Sequence, residues 1–121
     1  MTPSMGLTTH VLDTARGCPA AGLRIDVSEV SADGRARLIK TVRTNADGRT
    51  DVPLFGPGEM EAGRYELLFH VGAYFRTMGS AVTDPPFLDL VPVRFAVATA
   101  GGHYHVPLLV SPYSATSYRG S

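Results

Sequence analysis

A chain of 121 residues, 44% hydrophobic and 18% charged, has enough apolar material for one buried core and too little length for a second, so residues 1–121 are expected to form a single domain. Eleven basic residues balance eleven acidic ones, which removes the excess positive charge that nucleic acid or an anionic membrane selects; neither partner is expected. The single cysteine, Cys18, allows no intrachain disulfide and no thiolate zinc site. Met1 to Gly6 lacks the basic start and apolar run of an export signal, and nothing downstream approaches a membrane span, so a reducing, cytoplasmic setting is expected.

Thirteen glycines and nine prolines favour short strands joined by tight turns over helices. Leu7 to Leu12 is rich in β-branched residues and reads as a strand, stopped by the turn-forming run Asp13 to Pro19. Leu23, Ile25 and Val27 alternate with Arg24, Asp26 and Ser28, the period of two that puts apolar side chains on one face of a half-buried strand. The turn Ala32-Asp33-Gly34 then leads into Ala36 to Thr44 as the second arm of a hairpin. In that arm Leu38 and Val42 are expected to share a face with Lys40 between them, which suits a strand near a sheet edge.

Tyr65, Leu67, Phe69 and Val71 alternate again, as do Val91, Val93, Phe95 and Val97, after glycine or proline punctuation. Gly72 to Ala81 loses the period of two, and Phe75, Met78 and Gly79 suit a short helix. His103 to Val110 is a last apolar strand, between Gly101-Gly102 and Ser111-Pro112. Seven or eight short strands and one brief helix predict an all-β, antiparallel sandwich.

Four histidines stand out: His10, His70, His103 and His105. His103 and His105 are two apart in a strand, so both imidazoles leave one face, about 6.7 Å apart along its axis. Such a pair could hold a metal with His10 as third ligand, but Val106 to Val110 supplies no carboxylate, and neither a metal nor a cofactor is expected. His70, beside Phe69, reads as a structural core histidine. His10 and His105 have small or polar neighbours, and local sequence leaves them open between structure and chemistry. Arg49 follows Asn45-Ala46-Asp47-Gly48, a tight turn that would hold it rigidly, and Arg119 stands in a tail that would ordinarily fray.

Three blocks carry a resemblance. Leu7-Thr8-Thr9-His10-Val11-Leu12-Asp13 with Gly17-Cys18-Pro19-Ala20, then Thr44-Asn45-Ala46-Asp47-Gly48-Arg49, resemble the opening blocks of the transthyretin-like 5-hydroxyisourate hydrolases. His105-Val106-Pro107-Leu108-Leu109, Ser111-Pro112-Tyr113 and Tyr118-Arg119-Gly120-Ser121 are similar to that family's closing signature. Between Tyr113 and Tyr118 the chain departs from it, with Ser114-Ala115-Thr116-Ser117 in place of a more common glycine-tyrosine-serine-threonine. The hormone carrier transthyretin shares the leucine-serine-proline-tyrosine stretch but lacks the histidine, arginine and tetrapeptide set.

The resemblance implies a transthyretin-like sandwich that opens the six-membered ring of 5-hydroxyisourate, a product of urate oxidation in purine degradation, by water attack at an amide carbonyl. It implies catalytic roles for His10, Arg49, His105 and Ser121, substrate contacts from Tyr118, Arg119 and Gly120, and a homotetramer built as a dimer of dimers, with its sites in the channel between dimers. A neutral imidazole suits a general base, worth about 10²–10⁴-fold, and a guanidinium can steady the developing oxyanion. The alternative is a non-catalytic transthyretin-like protein that holds a small ligand.

Overall fold

The computed structural model describes residues 6–80, 82–98 and 102–121. Ala81, read from sequence as the helix end, Gly101, read as strand punctuation, and the opening residues 1–5 lie outside the described residues.

The strands are β1 (Gly6–Asp13), β2 (Cys18–Pro19), β3 (Arg24–Val30), β4 (Ala36–Arg43), β5 (Gly63–His70), β6 (Leu90–Val97), β7 (His103–Ser111) and β8 (Ser114–Ser117), with helix α1 (Val71–Thr77) between β5 and β6. They form two four-stranded sheets, ordered β2-β1-β7-β8 and β4-β3-β5-β6. The pairing is antiparallel except between β1 and β7, which run parallel from Gly6 opposite His103 to Asp13 opposite Val110. These two strands come from opposite ends of the chain and need no tight turn to join them, so the hairpin constraint that enforces antiparallel pairing does not apply.

Alternation sets the core. Leu7, Val11, Ile25, Val27, Leu67, Phe69, Leu108 and Val110 are essentially fully buried between the sheets, each removal of such a side chain from water stabilising the fold by roughly 1.5–3 kcal/mol. Leu54, Phe55 and Met60, from a connection without regular strand pattern, complete it, and Leu7 binds this segment through its amide to the Phe55 carbonyl at 2.9 Å.

Three sequence expectations change. Val71 is the first residue of α1 and does not extend β5, and Cys18 and Pro19 leave the turn to pair with Asp13 and Leu12 as a two-residue strand. In β4 a bulge lies opposite Val27 and Ser28, so Lys40 faces Val27 while Leu38 faces Ser28 and is 57% exposed. Leu38 and Val42 therefore do not share a face, because an extra residue reverses the alternation between them. Lys40 turns inward instead, its ammonium 4.9 Å from the Phe55 ring centroid and bonded to the Leu54 carbonyl, although β4 is the sheet edge that its lysine suggested. The Ser114-Ala115-Thr116-Ser117 departure is accommodated as β8, a mostly exposed edge strand against Leu108 to Ser111.

Candidate active site

The parallel register of β1 and β7 assembles the site. Leu7, Thr9 and Val11 point into the core, as do Tyr104, Val106 and Leu108, so Thr8, His10, His103 and His105 share the outer face of this sheet, half-buried. Thr8 lies directly opposite His105, and His10 opposite Pro107.

The Thr8 hydroxyl is 2.8 Å from Nδ1 of His105. Because a hydroxyl both donates and accepts, it can accept a hydrogen bond from Nδ1–H, the tautomer that leaves Nε2 with a free lone pair. On the ring's other side the Gly120 amide donates to the His105 carbonyl at 2.7 Å. A Cβ on Gly120 would stand 2.6 Å from Cδ2 of the His105 ring, so only glycine allows the 118–121 segment to lie this close. His105 is thus held from both sides, at Nδ1 by Thr8 and at Cδ2 by Gly120.

Arg49 is delivered by a turn fastened to β1. The Val11 amide donates to the Gly48 carbonyl at 2.8 Å, and Gly48 has φ +75°, with its missing Cβ position 2.4 Å from the Val11 carbonyl oxygen. Asn45 closes the turn, its side-chain oxygen accepting from the amides of Asp47 at 2.9 Å and Arg49 at 3.2 Å. Thr44, buried behind it, accepts from the Leu23 amide at 2.9 Å and donates to the Ala20 carbonyl at 2.6 Å. Arg49 itself is exposed and borders a shallow recess of about 170 Å³ with Thr8, Thr9, Asp51 and Pro53. Burial first, then the positive charges of Arg49, His103 and His10, push His105 below its ordinary pKa, against a weaker opposing hydrogen bond that the ring donates to the Thr8 backbone.

The rest of the expected set divides. Arg119 does not join the imidazoles: it donates to the His103 carbonyl at 3.2 Å and stacks its guanidinium 4.2 Å from the Tyr104 ring centroid. With Tyr118 it borders a separate opening of about 390 Å³ between the edges of β6 and β8. Ser121 is exposed, next to Gly120. Nδ1 of His103 is buried without a hydrogen-bond partner among the described residues. Among those residues no three His, Cys, Asp or Glu side chains gather closely enough to hold a metal ion. His70 is no plain core residue; it is half-buried on the other sheet, 2.9 Å from Asp26.

Thr8 is the contributor that sequence reasoning missed. Its signal was parity, since Thr8 and His10 alternate outward from the same strand, but nothing local showed that β7 would lie beside it in parallel.

Known proteins are similar to this chain over all or nearly all of its length. The 5-hydroxyisourate hydrolase 2 of Rhizobium meliloti (strain 1021) is 56% identical over 121 residues, covering 100% of both chains. The crystal structure of an (S)-allantoin synthase superposes with a TM-score of 0.88 at 44% identity, covering 100% of this chain, which spans 46% of that longer one. Transthyretin from Sparus aurata superposes with a TM-score of 0.82 at 33% identity, covering 94% of this chain and 95% of its own. With the family model also matched from residue 7 to residue 120, this chain belongs to the HIUase/Transthyretin family.

Proposed function

We propose that this chain is a 5-hydroxyisourate hydrolase, opening the substrate's six-membered ring to 2-oxo-4-hydroxy-4-carboxy-5-ureidoimidazoline. The observation that carries the reading is the outer face on which His10, the doubly fixed His105 and the turn-held Arg49 meet. The names of relatives such as the Rhizobium meliloti protein support the substrate.

In this reading His10 takes a proton from water as its oxygen bonds to the amide carbonyl carbon, and His105 orients that water through Nε2 and shares the proton. Arg49 stabilises the oxyanion of the tetrahedral intermediate. The carbon–nitrogen bond then breaks, and the leaving nitrogen takes the proton back from imidazole. Gly120 brings the tail against the His105 ring and Arg119 serves as the tail's anchor, while Ser121 and Tyr118 act on the substrate as the family resemblance implies.

The assembly we propose is a homotetramer in the cytoplasm. Two features support it: β6 and β8 are each the free edge of a sheet, able to extend it into a second copy, and the 170 Å³ recess is smaller than the roughly 300 Å³ at which small-molecule pockets begin. A facing copy would complete its walls. The transthyretin fold match favours one other reading, a ligand carrier, but a carrier has no use for paired imidazoles beside a turn-held arginine.

The test is to generate 5-hydroxyisourate in the cuvette with urate oxidase and follow its ultraviolet decay. Decay faster with the protein than without it supports hydrolysis; an unchanged decay, with ligand binding retained, supports the carrier.

A further inference from the structure

On the other sheet, away from the imidazole face, two arginines and a histidine form one cross-strand row. Arg43 of β4 lies directly opposite Arg24 of β3, and the β3–β5 register, with Ile25 opposite Phe69, continues the row to His70 at the end of β5. Like charges directly opposite on neighbouring strands destabilise a sheet, so a pair of arginines placed this way calls for an anion. The protein supplies part of one. Asp26 accepts from Arg24 Nε at 3.0 Å, from the Thr41 hydroxyl at 2.8 Å, and faces His70 Nε2 at 2.9 Å. Burial pushes its carboxyl up, but hydrogen bonds from His70, Thr41 and Arg24 outweigh that and hold it below its ordinary range. Its lone pairs are committed to that side of the row.

Arg43 is left over. Its guanidinium donates to the Gly22 carbonyl at 3.1 Å and meets no carboxylate among the described residues. Above the row, one face of α1 closes a recess of about 330 Å³, lined by Arg24, Arg43 and His70 on the floor and by Ala73, Tyr74 and Met78 on the helix side. Among the described residues, no acidic side chain lines it. Arg16 stands at the rim, 3.0 Å from the Met78 sulfur, and Asp13 below is engaged by Tyr74 and by the amides of Ala15 and Arg16.

We propose that this recess is a second binding site, for a small oxyanion. The planar fork of Arg43 matches two oxygens of a carboxylate or phosphate, and Arg24, engaged with Asp26 through Nε and Nη2, lines the same recess with its remaining positive charge. The apolar wall of Ala73 and Met78 accepts one ring or short apolar group attached to that oxyanion. The site lies on a different sheet from the imidazoles, so it stands or falls independently of the hydrolase reading.

The experiment follows His70 ring and arginine Nε resonances by NMR in the full chain, titrating inorganic phosphate in one arm and benzoate in the other at constant ionic strength in chloride. Saturable shifts of His70 and Arg43 are expected with at least one probe, with benzoate the tighter if the helix wall contributes. Arg43→Gln should weaken that binding at least about tenfold, the loss of a charge-assisted pair, with 5-hydroxyisourate turnover unchanged. Arg35→Gln, which removes an exposed charge elsewhere, should leave it intact. Absence of saturable shifts with both probes, or equal weakening by the two variants, overturns the proposal.

Discussion

Burial is the largest influence on the proton affinity of His105, and the positive charges of Arg49, His103 and His10 lower it further. The ring therefore stays neutral to a pH below the ordinary 6.5, and the acid limb of the rate profile should fall below that value if neutral His105 is required. Arg49→Gln removes one of the lowering charges, so the His105 titration followed by NMR should move upward; a downward move or none would remove Arg49 from the ring's surroundings. Stability carries the same sign. The unfolded chain protonates this ring first, so stability is lost as pH falls through 6.5 and on through the lower folded value. Gly120→Ala probes the same residue sterically, since its methyl would stand 2.6 Å from Cδ2 of a ring that Thr8 holds at 2.8 Å. Turnover should drop about 10²-fold, the scale of a misplaced catalytic group, with thermal unfolding nearly unchanged. Full activity in that variant would show that the ring has room to shift without consequence. Direct removal of His10 or Arg49 as alanine should cost roughly two or more orders of magnitude in turnover, measured by the ultraviolet decay.

Helix α1 is tied to β1 by one buried bond between elements far apart in sequence. The Tyr74 hydroxyl donates to Asp13 at 2.9 Å, while the other Asp13 oxygen accepts from the amides of Ala15 and Arg16, each at 3.0 Å. Burial first, then the hydrogen bond and charge of Asp13, push the Tyr74 phenol up to about 12, so it remains a donor throughout the physiological range. Tyr74→Phe leaves a carboxylate that is only 1% exposed short of one partner, and should cost about 1–3 kcal/mol of stability in urea unfolding without lowering turnover. An unchanged midpoint would mean that the helix is held by packing alone. The strands themselves were legible because alternation is a local property: Ile25 and Val27, or Leu67 and Phe69, announce their buried face over three residues. What was not legible depends on a neighbour. The β4 bulge that turns Leu38 out and Lys40 in exists only in relation to β3, and the two-residue β2 exists only because β1 offers Leu12 and Asp13 as partners. The buried segment around Leu54 and Phe55 has no period to read, since it joins the core through side chains and a few backbone bonds.

At the scale of the molecule, residue types in the candidate site were visible in three separated blocks, but their meeting rests on a parallel pairing of the chain's first and last long strands. That pairing put Thr8 against His105, which no local pattern displays, and it put Arg119 over Tyr104, away from the imidazoles where its charge suggested a place. The tail's contribution can be separated from the fold because it buries little: Tyr118 is 58% exposed, and Arg119 and Ser121 are also exposed. It attaches through the Gly120 amide on the His105 carbonyl, the Arg119 guanidinium on the His103 carbonyl and the Arg119 stack on Tyr104, all to β7, and none of these supports the β1–β7 ladder. Removing residues 118–121 should therefore leave the sandwich and its assembly intact by size-exclusion chromatography. The His105 ring would lose the wall on its Cδ2 side, and hydrolysis should fall by about 10²-fold, the order expected when a catalytic group loses its positioning contacts. The full-length and truncated chains are compared in the same ultraviolet decay assay, each at matched oligomeric state. A truncated chain of native size that hydrolyses at the full-length rate would take Tyr118, Arg119, Gly120 and Ser121 out of the site together, leaving His10, Arg49 and His105 to account for the chemistry on their own.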